Sequence, residues 1–204
     1  MNVLFIGNSF TARNDLPGLI ATIAAAAGKK FQHRLISAGG ASLRRHWNAG
    51  EALRVIKTGK YDFVVLQEQS TLPIKNRQRM HENVRLFDEA IKSAGAKTAL
   101  YLTWARKHAP DTQAAITAAY QSIARDIDAT IIPAGIAWEA FLGKHDEPEL
   151  HDADASHPTL AGSYLAACCA YLALFRAPLP SDVKVDGLSA TEVKLLQRAA
   201  KVSS

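Results

Sequence analysis

The chain has very little cysteine. Cys168 and Cys169 are its only thiols, and neighbours on a helix point about 100° apart. That geometry argues against a mutual disulfide, and the disulfide framework that staples many small secreted domains is absent. The pair reads instead as two small, buried, apolar residues. Long apolar runs are missing too. The longest apolar segment, after Pro158, holds about a dozen residues, short of the roughly 18 that span a bilayer. Lys and Arg exceed Asp and Glu, 24 against 19, but the surplus is spread along the chain. No basic block is interleaved with aromatics, which argues against a nucleic-acid partner. There is no Gly-x-Gly-x-x-Gly turn and no P-loop, so the common phosphate cradles are missing. No repeat, low-complexity tract or linker divides the chain, and residues 1–204 are expected to form one domain. The amino terminus enters a strand at once, without a basic n-region, an apolar h-region or a cleavage site. The expectation is a cytoplasmic protein, or a periplasmic or secreted one if a leader has been removed.

What is present is an alternation of short apolar runs and amphipathic stretches. Met1 to Ile6, Phe31 to Ser37, Tyr61 to Leu66, Lys97 to Thr103 and Ala129 to Ile132 read as five strands. Between them, helical spacing recurs. Leu16, Leu19, Ile20 and Ile23 share a face behind Asp15 as cap and Pro17 in the first turn. Leu43 to Lys57 is helical with an interruption near Gly50. Met80, Val84, Phe87 and Ile91 form one stripe between Asn76 and Ser93, and Ile116, Tyr120, Ile123 and Ile127 form another behind Asp111 as cap. A short helical piece lies around Trp138 to Leu142. After the polar loop Lys144 to Ser156, Pro158 is expected to start a core helix through Phe175. Ser189-Ala190-Thr191-Glu192 has capping-box spacing and opens a terminal helix. Strands alternating with helices imply right-handed crossovers and a parallel sheet covered on both faces.

Such sheets bind ligands outside the carboxyl ends of their strands, and polar residues collect at those ends. The first strand runs into Gly7-Asn8-Ser9-Phe10-Thr11, where a hydroxyl is badly placed for packing and well placed for chemistry. A serine is a weak nucleophile until a base takes its proton, and histidine titrates in the useful range. Asp154-Ala155-Ser156-His157-Pro158 supplies that base with a carboxylate three residues away to orient it. Gly39-Gly40 follows the second strand, where the absence of a Cβ lets a backbone N–H approach a ligand; a tight turn is the other reading. Gln67-Glu68-Gln69 follows the third. An amide there is suited to donate to an oxyanion, and Gln69 is favoured over Gln67, with a structural amide bound to loop backbone as the alternative for either. Ionised Glu68 is excluded from that role by its charge. Trp104 and Arg106, after the fourth strand, are candidates to line a sugar or carboxylate pocket, against a rim aromatic and a solvated arginine. His46 after the glycine loop is weighed the same way, and Asn8 and Gly39 complete the candidate substrate contacts. His151, Asp152, Asp154 and His157 lack repeated ligand spacing, so a polar loop is preferred to a metal site.

These four loops, in this order, resemble the SGNH (GDSL-like) hydrolase superfamily. Gly7-Asn8-Ser9 matches its Gly-x-Ser nucleophile block. Gly40, within Gly40-Ala41-Ser42, matches the glycine after the second strand, with Gly39 one register away. Asp154 and His157 match the final Asp-x-x-His. Where the family has Gly-x-Asn, this chain has Gln67-Glu68-Gln69, and Gly-Asn-Ser-Phe-Thr with Leu-Gln-Glu-Gln-Ser looks like a bacterial subgroup. The resemblance runs from the first strand to the helix after His157. The Gly-x-Ser-x-Gly elbow of α/β-hydrolases is absent, because Thr11 takes its last position.

The resemblance implies a flavodoxin-like, three-layer α/β/α sandwich around a five-stranded parallel sheet. It implies a serine esterase with Ser9 as nucleophile, His157 as base and then acid, and Asp154 orienting it. The N–H groups of Ser9 and Gly40, with the Gln69 amide, form the expected oxyanion hole. Neither a metal nor an organic cofactor is called for. Small acyl esters on carbohydrate, O-acetyl above all, are the expected substrates. A lipid or thioester acyl hydrolase, or a catalytically silent carbohydrate-binding protein on the same fold, are the alternatives.

Overall fold

In the computed structural model, which describes residues 1–202, five parallel strands form one sheet in the order β2-β1-β3-β4-β5. They are β1 (Asn2–Gly7), β2 (Gln32–Ser37), β3 (Phe63–Leu66), β4 (Lys97–Tyr101) and β5 (Thr130–Ile132). Register runs straight across the middle: Ile6 faces Ile36 on one side and Leu66 on the other. This is the flavodoxin strand order, with its topological switch between β1 and β3.

The apolar runs of the central strands follow from burial on both faces. Val3, Phe5, Val65, Ala99 and Tyr101 point into one core with α2 (Leu16–Ala26), α8 (Ala134–Leu142), α9 (Leu160–Phe175) and α10 (Ala190–Val202). Leu4, Ile6, Val64, Leu66 and Leu100 point into the other, under α3 (Leu43–Ala49), α4 (Glu51–Thr58), α6 (Arg77–Ser93) and α7 (Gln113–Ile127). Successive residues of a strand alternate between faces, so both parities must be apolar. The predicted stripe of Met80, Val84, Phe87 and Ile91 is fully buried on α6. Two short helices, α1 (Ser9–Ala12) and α5 (Leu72–Lys75), sit at strand ends.

The caps Asp15 and Ser189 act as their spacing predicts: Asp15 accepts Gly18 N–H, and Ser189 and Glu192 bond reciprocally. Two expected starts move. Asp111 lies in a 3-10 turn, and α7 begins at Gln113 without a side-chain cap. Pro158 pairs with His151 in an isolated β-bridge, and α9 begins two residues later, with Thr159 accepting Gly162 N–H. The hydroxyl of threonine caps where proline cannot. Helix α9 is buried almost all round, which explains its unbroken apolar text; Cys168 and Cys169 are both buried inside it. Among the described residues no helix is long and apolar enough to cross a membrane.

Candidate active site

The sheet stops and the polar loops begin at one edge. Gly7 ends β1, and the chain turns at once into α1, with Asn8 as its N-cap. A side chain at Gly7 would not fit: a Cβ there would lie 2.6 Å from both Gln67 Oε1 and Thr11 Oγ1. The space is occupied by Gln67, which is fully buried and accepts Asn8 N–H at 2.8 Å and the Thr11 hydroxyl at 3.0 Å. Its NH2 group donates to the carbonyl of Glu68. A Gly7→Ala variant is expected to lose about 1–3 kcal/mol, the usual cost of overpacking, and a denaturant midpoint lowered at constant slope checks this.

The turn delivers Ser9, half-buried, with its Oγ 2.7 Å from His157 Nε2. The imidazole arrives on a hairpin-like loop. His151 and Pro158 form the bridge at its base, Asp152 N–H donates to His157 O at 2.7 Å, and Ala155 turns the chain at φ +59°. Asp154 organises the tip. Its Oδ1 accepts N–H from Ser156 (3.0 Å) and His157 (2.8 Å), and its Oδ2 accepts the His157 ring Nδ1–H at 2.5 Å. With Nδ1 donating, Nε2 carries the lone pair toward Ser9. The His157 N–H first, and then its ring, hold the Asp154 carboxyl well below the usual carboxylate range.

The loop is held to the Ser9 turn from both sides. Arg13 pairs with Asp152, and Asn14, at φ 54°, donates its amide to Pro158 O at 3.1 Å and to Ser163 Oγ at 2.9 Å. Behind it, Trp104 Nε1 donates to Ser156 O at 3.0 Å, and Lys107 N–H donates to Ala155 O. The residues weighed as a metal cluster are each directed elsewhere: His151 Nε2 to Ala105 O, Asp152 to Arg13, and Asp154 to His157.

Gly40 is exposed at φ +62°, the third residue of a turn closed by Ala41 N–H to Ala38 O. A type II turn demands that sign of φ, which glycine adopts without strain. The Gln69 carbonyl oxygen accepts Thr71 N–H, the Thr71 hydroxyl and Leu72 N–H at 2.9, 2.9 and 3.1 Å. The amide is thus fixed in its loop by its oxygen, and the NH2 group is the end left to donate.

Three candidate substrate contacts have other work. Asn8 is 3% exposed: its Oδ1 caps Phe10 N–H, and its Nδ2 donates to Ala41 O, joining the Ser9 turn to the glycine turn. His46 is buried, with Nε2 donating to the carbonyl of Gly7 at 2.7 Å. Trp104 is 2% exposed, its ring stacked between Trp138 at 3.8 Å and Phe10 at 5.1 Å. Phe10 in turn meets the His157 ring edge-on, so Trp104 supports the imidazole from behind. Arg106 and Gly39 are exposed. Arg106 lines a cavity of about 360 Å³ with Trp104, Trp138, Leu142 and His151. Gln67 takes the alternative offered for it, a structural amide bound to loop backbone; the tying roles of Arg13 and Asn14 have no signal in the sequence, because nothing in a linear text shows which groups of another loop a side chain will meet.

No protein-family model and no curated protein sequence matches the chain. Solved structures do. A candidate SGNH hydrolase from Slackia heliotrinireducens is 27% identical, with a TM-score of 0.76 over 85% of this chain and 98% of its own. A DUF4886 family protein from Bacteroides uniformis is 21% identical, with a TM-score of 0.75 over 98% of this chain and 93% of its own. An acetyl xylan esterase is 14% identical, with a TM-score of 0.67 over 85% of this chain and 100% of its own. The last two likenesses are of fold, and the first reaches into sequence. The same parallel sheet, matched along nearly the whole length of these relatives, is the fold of SGNH (GDSL-like) hydrolases, and the likeness supports a serine ester hydrolase.

Proposed function

We propose that the chain hydrolyses small acyl esters, O-acetyl groups on carbohydrate above all, through an acyl-enzyme on Ser9. The observation that carries this reading is the 2.7 Å contact between Ser9 Oγ and His157 Nε2, with Asp154 on the far ring nitrogen. Ser9 attacks the ester carbonyl while His157 takes its proton, and Asp154 stabilises the imidazolium that forms. The tetrahedral oxyanion is met by the N–H groups of Ser9 and Gly40 and by the Gln69 amide. As the first residue of α1, Ser9 has an N–H with no partner inside the helix. His157 then returns the proton to the leaving alcohol, and water, activated by the same imidazole, releases the acid. The resemblance of fold to an acetyl xylan esterase supports a carbohydrate ester as substrate.

Acetate release from a panel of acetylated oligosaccharides, beside p-nitrophenyl esters of rising chain length, tests the substrate. Acetyl esters are expected to give the highest kcat/KM. A preference for long acyl chains would replace this reading with a lipid or thioester hydrolase, and binding of acetylated sugar without acetate release would replace it with a binding protein. Gln69→Ala is expected to lower kcat by about 10²–10³, or roughly 2.7–4 kcal/mol, as loss of one oxyanion donor does elsewhere. A change below about threefold would assign the oxyanion to the backbone N–H groups alone, since a factor of ten is only about 1.4 kcal/mol.

A further inference from the structure

The two donors assigned outside the nucleophile turn stand on different loops, and one buried side chain is bound to both. Glu68 is 1% exposed. Its Oε1 accepts Leu43 N–H at 3.0 Å, three residues beyond Gly40, and Gln69 N–H at 2.7 Å. Its Oε2 accepts the Asn83 amide at 2.9 Å, and Asn83 Oδ1 accepts Arg44 Nε–H at 2.9 Å. Asn83 is itself 1% exposed, so this chain runs from the loop after β3 through α6 to α3 inside the protein.

An ionised carboxylate suits such a site because every neighbour that meets it is a donor, and N–H bonds to a charged acceptor are stronger than neutral ones. Burying it is costly. Burial, the largest effect, raises the Glu68 carboxyl above its ordinary value, and the Asn83 amide, the Gln69 and Leu43 N–H groups and the Arg44 charge offset it only in part. A residue needed only to fill space would not carry that cost. The glycine turn has a second fastening, from Asn8 Nδ2 to Ala41 O, which sets it against the nucleophile. Glu68 sets it against Gln69.

We propose that Glu68 is a positioning residue for ester hydrolysis: by accepting Leu43 N–H and Gln69 N–H on one oxygen, it fixes the Gly40 turn and the Gln69 amide at the separation that lets both reach one oxyanion. The proposal rests on the oxyanion-donor reading given above. It predicts an effect on the transition state and little on substrate binding, because a displacement of about 1 Å in a catalytic group costs up to about 10² in rate.

Glu68→Gln preserves shape and volume. Its oxygen can replace Oε1, but its NH2 group then faces the Asn83 NH2, and the chain to Arg44 breaks. With p-nitrophenyl acetate, kcat is expected to fall about 10- to 100-fold with KM within about twofold, the pattern of an interaction realised only in the transition state. In the Gln69→Ala background the same substitution is expected to cost less than in the unmodified protein, because the part of its effect that acts through the Gln69 amide is already lost and only the part through the Gly40 turn is left. Equal losses in both backgrounds, or a KM that rises while kcat holds, would overturn the proposal. If Gln69→Ala has its full effect and Glu68→Gln has none, the proposal fails alone; if Gln69→Ala has none, the donor reading fails and takes the proposal with it. Should Glu68→Gln not fold, Asn83→Ala keeps the carboxylate and removes the amide that fixes it. A smaller kcat loss at unchanged KM, again dependent on Gln69, supports the proposal, and no loss overturns it.

Discussion

Replacing Ser9 with alanine is expected to lower kcat by on the order of 10⁶, as removal of a serine nucleophile does in other triads. That is about 8 kcal/mol of transition-state stabilisation. The loss should be nearly complete because no neighbouring hydroxyl can take over. Thr11, two residues on, is 1% exposed and donates its hydroxyl to Gln67. Stability should change little, since the hydrogen bond of Ser9 Oγ is to His157, on a half-buried surface. Steady-state turnover of p-nitrophenyl acetate, with thermal melting alongside, separates the two effects.

Asp154→Asn is expected to cost about 10⁴ in kcat, the size seen when a triad carboxylate becomes an amide. The reason lies in the two oxygens of Asp154. Oδ1 accepts N–H from Ser156 and His157, and an asparagine oxygen can do the same, so the loop tip should keep its shape. The amide NH2 then stands where Oδ2 accepted the ring Nδ1–H. The imidazole can pair with a donor only by shifting its proton to Nε2, and Nε2–H cannot take a proton from Ser9. In the unmodified protein the Asp154 carboxyl lies well below the usual range, so it is ionised at neutral pH and able to hold the ring. Asp154→Asn at full activity would contradict the orientation role.

Much of this fold is written locally. Strands buried on both faces need consecutive apolar residues, so Val3 to Ile6 and Val64 to Leu66 stand out in any window. Asp15 and Ser189 precede their helices with oxygens that can bond only a few residues away, so their spacing is enough. Ser9, Asp154 and His157, whose side chains the structure brings together, stand out for another reason: the resemblance of their short motifs, not any periodicity. Pro158 and Asp111 show where local rules fail. Either residue starts a helix well in isolation, but Pro158 is held in a bridge with His151, and α7 begins past Asp111 at Gln113, whose side chain accepts Ala105 N–H.

The polar residues at the strand ends were the hardest to read. Asn8, His46, Gln67, Glu68 and Gln69 have the same look in the text, a hydrogen-bonding side chain just past a strand or turn. What separates them is which backbone group from another loop they meet, and that is set by the strand order. His46 meets Gly7 O and Gln67 meets Asn8 N–H because their loops share one edge of the sheet. The charge of Glu68 excludes it as an oxyanion donor, and the structure shows three donors around its buried carboxylate.

The central claim is that Ser9 is the nucleophile, and active-site labelling tests it most directly. Incubation with a fluorophosphonate probe, followed by mass spectrometry of the digested protein, should find the label on the peptide that carries Ser9, with hydrolysis lost in proportion to labelling. Label on another residue, or full hydrolysis by protein labelled at Ser9, would contradict the account.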